Sequence, residues 1–204
     1  MSEWLYTTTI KIFRLVLDCL TSFIRTYSMP ENVLEYTRRL FDEPDREWGQ
    51  HHYVTPGRDG QSEVVNNGDI EPSVSRLSNY EVLHNFICNC LSSYYHEFPS
   101  SFSPTRSHVR FNRYAENQLM KPHTDHITSL FDGRARGIPV LSLVGLVNGA
   151  EEGGEFFMNL LGESKEYLKK SGELIIFPSV FIYEHEVKPV KKGVRDSFVS
   201  WTYF

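Results

Sequence analysis

The pairing of a His-x-Asp triplet with a distant His is the feature that most constrains how this chain can fold. The triplet is His123-Thr124-Asp125, and His185 follows sixty residues later. In a β-strand, residues i and i+2 point to the same face, so His123 and Asp125 can reach one metal ion from a strand or from its end. A fold that uses all three side chains must therefore bring two distant segments of the chain together.

The chemistry of these three side chains favours iron. Two imidazoles and one carboxylate can hold one face of a ferrous ion and leave three coordination positions open, and they lack the sulfur ligation that favours zinc. Arg195 lies ten residues beyond His185, and Ser197 follows it. A planar guanidinium can bind a dicarboxylate through two hydrogen bonds. A His-x-Asp pair alone is common, but its conjunction with a late His and an Arg-x-Ser pair favours a metal site.

The residues around the late motifs predict β-strands. Residues 173–187 are apolar, β-branched and aromatic, and a Pro-Ser pair divides them, which indicates two short strands with His185 on the second. Residues 193–204 indicate a last strand. Arg195 and Ser197 share one face of that strand, so they are expected to point together into a cavity.

In these residues the chain resembles the Fe(II)/2-oxoglutarate-dependent dioxygenases, specifically their prolyl 4-hydroxylase-like branch. The order and the spacing of the motifs are similar over the C-terminal half, whereas the N-terminal half carries no comparable motif. The matching motifs are Val109–Tyr114, Lys121–Asp125, Glu152–Phe156, Lys170–Pro178, His185–Val187, Gly193–Arg195 and Trp201.

The resemblance implies a role for each matching residue. His123, Asp125 and His185 would bind Fe(II), and Arg195 would pair with the distal carboxylate of 2-oxoglutarate. Tyr114 matches a Tyr that lines the cosubstrate pocket. The reaction would consume 2-oxoglutarate and O2, with ascorbate in support, and would yield succinate, CO2 and a hydroxylated substrate.

Two positions depart from the family pattern. Several relatives bond the distal carboxylate with a Tyr on the strand before a Gly-Gly turn, and this chain has Leu146 near that position. Ser142 or Ser197 is the expected substitute, because each offers a hydroxyl group. Asn117 stands where relatives often have Gly. Asn is the next-best residue at a left-handed backbone position, so we expect the turn to survive.

The fold expected from these patterns is mainly β with N-terminal α-helices. Its core would be a double-stranded β-helix, a cupin-like jelly-roll of eight strands, with the apolar run 140–147 through its centre. Residues 1–204 are expected to form a single domain. Residues 1–105 would supply helical support and a possible lid loop, and residues 106–204 would form the metal-binding core.

The spacing of apolar residues predicts three helices in the N-terminal half. They cover residues 10–24, residues 30–40 with Ser28 as N-cap, and residues 81–98. The predicted stripes are Ile10, Phe13, Leu17, Leu20 and Ile24 in the first helix and Val82, Phe86, Cys90 and Tyr94 in the third.

Two segments are expected to be loops. Gly, Pro, Asn and Asp are concentrated in residues 54–74. A loop of that length is either functional or a mobile surface connection, and in prolyl hydroxylases a loop at this stage of the chain closes over the substrate peptide. Residues 132–137 are expected to be a surface connection, in which Arg134 and Arg136 either contact an acidic substrate or remain solvated.

Composition narrows the possible partners and the compartment. The formal net charge of -5 gives no support to binding of a phosphate backbone, so no nucleic-acid partner is expected. Three cysteines are too few for a disulfide scaffold, which favours reduced thiols and a cytoplasmic location. Residues 10–24 are too short and too charged to span a membrane.

Several substrate classes remain open. The leading expectation is hydroxylation of a prolyl residue in a peptide or protein, and the alternative is hydroxylation of a free amino acid or another small metabolite. Relatives that demethylate nucleic acids carry a second Arg where this chain has Trp201, which argues against that activity. A non-catalytic jelly-roll that binds a sugar or a protein is the candidate from another functional class.

Overall fold

The computed structural model of the protein describes residues 3–56, 62–66, 70–76, 80–125 and 138–204. The segment that contains Arg134 and Arg136 therefore lies outside the described residues. The helices are α1 (Glu3–Thr21), α2 (Glu31–Phe41) and α3 (Glu81–Glu97), and a 3-10 turn (Pro99–Ser101) follows α3.

The β-strands follow one another closely in the second half of the chain. They are β1 (Arg25–Ser28), β2 (Gly49–Gln50), β3 (His52–Pro56), β4 (Ser62–Asn66), β5 (Ser73–Arg76), β6 (Thr105–Arg106), β7 (Arg110–Tyr114), β8 (Met120–His123), β9 (Pro139–Asn148), β10 (Glu152–Gly153), β11 (Phe156–Leu160), β12 (Glu163–Tyr167), β13 (Glu173–Pro178), β14 (Glu184–Val187), β15 (Val190–Lys192) and β16 (Arg195–Tyr203).

Two antiparallel sheets make up the core. The larger has the order β1-β13-β9-β16-β7-β5-β2, with β6 added to β16, and the smaller has the order β12-β11-β14-β8. Strands β13, β9, β16 and β7 of the larger sheet and the four strands of the smaller sheet account for the eight core strands. The prediction of a mainly β fold with a jelly-roll core is confirmed.

Strand β9 is buried on both faces, which explains its uninterrupted apolar sequence. Leu141 and Leu143 belong to the cluster that α2 and α3 cover, whereas Val144 and Leu146 belong to the cluster between the two sheets. Gly145 lies against the ring of Phe198, where an added Cβ would come within 2.2 Å of ring carbons. The central strand therefore needs a residue without a side chain at this point.

Helices α2 and α3 differ from their predictions in detail. Ser28 is not an N-cap: it pairs with β13 as the last residue of β1, and α2 begins after Pro30 without a side-chain cap. In α3, Cys90 and Tyr94 are buried as predicted, but Val82 is exposed. The buried face of α3 is Leu83, Ile87, Cys90, Leu91 and Tyr94. That face follows the mixed i+3 and i+4 spacing of a helix rather than the strict i+4 spacing assumed.

Helix α1 packs on the smaller cluster with its C-terminal part. Leu17 and Leu20 pack there, and Ile24 is buried just after the helix ends, whereas Ile10 and Phe13 stay exposed. The predicted stripe is therefore buried in its second half alone. Within the described residues, no helix combines the length and the apolar character needed to cross a membrane.

The segment predicted as a long loop contains a hairpin in its described part. Strands β3 and β4 pair antiparallel, with Val54 opposite Val64 and Tyr53 opposite Val65. Aromatic and β-branched residues favour such pairs. A loop was predicted instead because turn-forming residues are concentrated in this segment. Asn117 has a φ of 69°, so the left-handed turn expected there is present.

Candidate metal centre and its pocket

The sheet register brings the three predicted metal ligands together. His123 is the last residue of β8, and its Cα lies opposite that of His185 on the neighbouring strand β14. Asp125 follows two residues after His123, just past the strand. Potential ligand atoms of the three side chains all lie within 4.8 Å of one another. One face of a small cation could therefore be held here.

Backbone carbonyls orient both imidazole rings. His123 Nδ1 donates to the carbonyl of Lys121 at 2.8 Å, and His185 Nδ1 donates to the carbonyl of Tyr183 at 3.1 Å. With Nδ1 acting as the donor, the lone pair of each ring is on Nε2. Each Nε2 lies 3.8 Å from a carboxylate oxygen of Asp125, so both lone pairs face the same point.

Asp125 is held by a relay of hydroxyl groups. Ser142 Oγ donates to Asp125 Oδ2 at 2.6 Å. Because Ser142 has a single hydroxyl hydrogen, Ser179 must be the donor in the 2.8 Å contact between their hydroxyls. The side chain of Trp201 also hydrogen-bonds Asp125. Ser142 is thus committed to the metal ligand, whereas the sequence reading offered it as a partner for a distal carboxylate.

Electrostatics keep Asp125 and His185 in the forms that bind a metal. Burial raises the pKa of Asp125. The nearby His185 and His123 and the hydrogen bonds from Ser142 and Trp201 together lower it by more, so the net shift is downward. Burial lowers the pKa of His185 to about 4, although Asp125 opposes that shift. At neutral pH the site therefore presents a carboxylate and a neutral buried imidazole.

Arg195 forms the other end of the pocket. It is the first residue of β16, lies opposite Tyr114 of β7 and is 1% exposed. Its Nη1 donates to Ser197 Oγ at 2.8 Å, and its guanidinium carbon lies 5.2 Å from the centre of the Tyr114 ring. Its Nη2 is buried without a hydrogen-bond partner among the described residues. A buried guanidinium N–H left unpaired is costly, so this atom fits a carboxylate ligand.

The backbone next to Arg195 is shaped around its side chain. Gly154 has a φ of +72°, and an added Cβ would come within 3.0 Å of Arg195 Cδ. The predicted Gly-Gly turn therefore lies directly against the stem of the arginine. Leu146 is buried and its Cα lies opposite that of Ser197 on β16, so this position supplies an apolar side chain where a hydroxyl would be needed to bond a carboxylate.

One cavity connects the metal ligands with Arg195. It has an empty volume of about 430 Å³, including its opening to solvent. The other lining residues include Met120, Phe156, Val187, Val199 and Trp201. A small dicarboxylate could therefore reach from the arginine to a metal held by His123, Asp125 and His185.

Arg110 and Asn112 are pocket residues that the sequence reading missed. Both line the cavity, since they alternate along β7 with Tyr114 and so share its face. Arg110 Nε donates to Asn112 Oδ1 at 3.1 Å, and its guanidinium carbon lies 5.1 Å from the centre of the Trp201 ring. The period of two that located Ser197 from Arg195 could have located these residues from Tyr114.

His51 lies near the pocket in a buried pair with Glu71. Their side chains approach to 2.6 Å between His51 Nδ1 and Glu71 Oε2. Burial lowers the pKa of His51, and the nearby charges of Arg110 and His123 act in the same direction against the pull of Glu71. The pair thus joins the two ends of the segment that carries the β3–β4 hairpin, close to the metal ligands.

The C-terminal part of the chain matches the model of one protein family. Residues 109–203 match the family model of the 2OG-Fe(II) oxygenase superfamily. This part of the chain is a 2OG-Fe(II) oxygenase domain. It contains the metal ligands His123, Asp125 and His185, as well as Arg195 and Ser197 at the other end of the cavity.

Relatives of known name and structure agree with that family. The PKHD-type hydroxylase YbiX of Escherichia coli O1:K1 / APEC is 27% identical over 175 residues, which cover 84% of this chain and 73% of the relative. A Pseudomonas putida prolyl-4-hydroxylase has the same fold at 18% identity, with a TM-score of 0.61 over 93% of this chain and 97% of that one. A Trichoplax adhaerens prolyl hydroxylase, solved with a peptide fragment of hypoxia inducible factor, has a TM-score of 0.64 at 14% identity, over 100% of this chain and 94% of that one.

The 2OG-Fe(II) oxygenase family implies Fe(II), 2-oxoglutarate and O2 as the reagents of this site. The observed residues fit the metal and the cosubstrate. Two imidazoles and a carboxylate suit ferrous iron, and the orphaned Nη2 of Arg195 suits the distal carboxylate of the cosubstrate.

Proposed function

We propose that this 2OG-Fe(II) oxygenase hydroxylates a prolyl residue in a peptide or protein. One atom of O2 would enter a C–H bond of the substrate, and the other would enter the succinate formed from 2-oxoglutarate with loss of CO2. The observation that carries the proposal is the unpaired, buried Nη2 of Arg195 at the far end of a cavity that begins at His123, Asp125 and His185.

His123, Asp125 and His185 would hold Fe(II) and leave three coordination positions for the cosubstrate and O2. Bound iron supplies the oxidative decarboxylation and the oxygen transfer, while the protein supplies orientation and excludes side reactions. The carbonyls of Lys121 and Tyr183 would keep each Nε2 directed at the metal. Ser142 would position Asp125 rather than bind the cosubstrate.

Arg195, Ser197 and Tyr114 would hold 2-oxoglutarate. The distal carboxylate would accept hydrogen bonds from Arg195 Nη2 and from Ser197, whose oxygen already accepts from Nη1 and whose own hydrogen is left to donate. The Tyr114 ring would close the wall beside the guanidinium. Leu146 has no hydrogen-bonding group, so Ser197 would replace the Tyr that bonds the distal carboxylate in several relatives.

A peptide substrate is supported by the fold and by the hairpin near the pocket. The T. adhaerens protein of the same fold was solved with a peptide. In this chain the β3–β4 hairpin extends from the buried His51–Glu71 pair, close to the metal ligands. We infer that the hairpin is a lid for the peptide. Limited proteolysis of residues 54–74 with and without substrate tests this, and equal cleavage in both samples would remove the lid.

The decisive experiment uses the protein with Fe(II), 2-oxoglutarate, ascorbate as a supporting reductant and a library of proline-containing peptides. Peptides that gain the mass of one oxygen atom, together with an equivalent amount of succinate, would support the proposal. His123→Ala is the matched control, because it removes one metal ligand at a half-exposed position. Oxygen transfer to free amino acids alone would favour the small-metabolite alternative. Absence of Fe(II) binding in an anaerobic titration would favour a non-catalytic module.

A further inference from the structure

The pocket contains a second arginine for which the proposed reaction has no use. Arg110 lies on β7, and its guanidinium carbon is 5.1 Å from the centre of the Trp201 ring. Trp201 hydrogen-bonds Asp125, so this cation lies at the metal end of the cavity, whereas Arg195 lies at the other end. Arg110 is half-buried and Arg195 is 1% exposed, so Arg110 is the one that solvent and substrate can reach.

Arg110 has no carboxylate partner within ion-pair distance in the described part of the chain. Asp125, the acidic residue of the metal centre, faces the two histidines and accepts from Ser142. Arg110 Nε donates to the neutral side chain of Asn112. Burial lowers the pKa of Arg110, Tyr114 and Asp125 oppose that shift, and Arg76 adds to it. The guanidinium is therefore partly desolvated while most of its donors remain available to a ligand.

A further cation, Arg76, lies directly opposite Arg110 on the neighbouring strand. The Cα of Arg76 on β5 pairs with that of Arg110 on β7, so both side chains leave the same face. Like charges in directly opposed positions of an antiparallel pair are destabilising. An anion bound between them would remove that repulsion. Arg76 is exposed, which places it at the edge of the pocket, next to Arg110, which lines the cavity.

The charges of the proposed complex are balanced without Arg110. Ferrous iron with Asp125 carries one net positive charge, and Arg195 carries a second. Together they match the two negative charges of 2-oxoglutarate. One carboxylate of that cosubstrate would lie at Arg195 and the other at the metal, so neither is left for Arg110. A substrate anion is the group that would complete the balance.

We propose that Arg110, with Arg76, binds a carboxylate of the substrate next to the carbon that is hydroxylated. The inference rests on the proposed function and makes the substrate anionic. The carboxylate could come from an Asp or Glu side chain beside the target proline in a peptide, or from the free carboxyl group of an amino acid. Planar bidentate recognition of a carboxylate is what a guanidinium does best.

The test compares matched substrates on the wild-type enzyme. Peptide pairs differ only in Glu or Gln beside the proline, and a second pair is L-proline and L-prolinamide. We expect the acidic member of at least one pair to have a higher kcat/KM by about ten- to a hundredfold, the range of a charge-assisted hydrogen bond. The pair that shows the preference identifies the source of the carboxylate. Equal kcat/KM within both pairs would overturn the inference.

Variants assign the preference to Arg110. Arg110→Met keeps an unbranched side chain against Trp201 but removes the charge, and it should abolish the preference, while Arg110→Lys should retain part of it. Arg39→Met removes one charge from an exposed position on α2 and should leave the preference intact. A preference that survives Arg110→Met, or a raised KM for 2-oxoglutarate in that variant, would overturn the inference. If Arg110→Met does not fold, the preference for the acidic substrate is compared between Arg110→Lys and the wild type, and that comparison still tests the inference. Failure of the wild type to hydroxylate any substrate would instead count against the proposed function.

Discussion

Replacement of Arg195 by Met should weaken binding of the cosubstrate without destabilising the ligand-free protein. In the ligand-free protein this guanidinium is 1% exposed, and among the residues that the structure describes its Nη1 donates to Ser197 while its Nη2 has no partner. Replacing a buried ion pair by apolar side chains of similar volume is often neutral or stabilising, by about 1–4 kcal/mol, and a buried guanidinium without an ionic partner has less Coulombic gain to lose. The lost charge-assisted bond to Ser197 offsets about 1.5–3 kcal/mol of that gain. The ligand-free variant should therefore be about as stable as the wild type.

The same substitution should weaken binding of 2-oxoglutarate. Loss of the charge-assisted contact to the distal carboxylate should cost about 3 kcal/mol, which is roughly a hundredfold in Kd. At a ligand concentration of about 100 times the wild-type Kd, the wild type gains about 2.7 kcal/mol, or roughly 5–10 °C in Tm. The Arg195→Met variant should gain only about 0.4 kcal/mol, or roughly 1 °C.

Thermal unfolding of the Mn(II)-loaded protein with and without 2-oxoglutarate measures both effects, with Arg39→Met as the control for loss of one charge. A ligand-free Arg195→Met protein destabilised by about 3–5 kcal/mol would show that the arginine is already paired in the fold. A ligand-induced rise in Tm equal to that of the wild type would show that the cosubstrate binds elsewhere. Either result refutes the reasoning.

Three further outcomes are expected. Ser142→Ala should lower the affinity for Fe(II) about tenfold, because Asp125 loses its orienting hydroxyl, and should leave 2-oxoglutarate binding unchanged at saturating metal. Unchanged Fe(II) affinity with weaker 2-oxoglutarate binding, measured by calorimetry, would instead place Ser142 in the cosubstrate site. Gly145→Ala should cost about 1–3 kcal/mol in urea unfolding, since its Cβ meets the Phe198 ring, and wild-type stability would contradict that contact. Without metal, the free energy of unfolding should fall as the pH drops from 6.5 towards 4, because His185 binds its proton more readily in the unfolded chain, and a His185→Gln variant should lose this slope.

Much of the site was predictable because its chemistry repeats with the period of a strand. His123 with Asp125, and Arg195 with Ser197, are pairs at i and i+2. Once a strand is predicted for each segment, both members of each pair are expected on the same face. The same period applied to Tyr114 would have indicated Arg110. The predictions of an eight-stranded jelly-roll and of a left-handed Asn117 also drew on the resemblance of the motifs to a known family.

The local predictions that proved wrong concern residues whose partners are distant in sequence. Ser28 has the right chemistry for an N-cap, but pairing with β13 engages it in a sheet. Residues 54–74 have the composition of a loop, yet cross-strand pairs such as Val54 with Val64 make a hairpin there. Local propensity is a weak guide wherever a long-range ladder competes for the same backbone groups.

The sequence by itself determined which atoms could act: two imidazoles, a carboxylate and a guanidinium in an order that allows a metal and a dicarboxylate to share one cavity. The tertiary structure alone decided which of these atoms are already satisfied. Burial and register committed the Ser142 hydroxyl to Asp125, left Nη2 of Arg195 unpaired, and set Arg76 across from Arg110. The physical reason is that hydrogen bonding and desolvation depend on neighbours from distant strands, which no local pattern specifies.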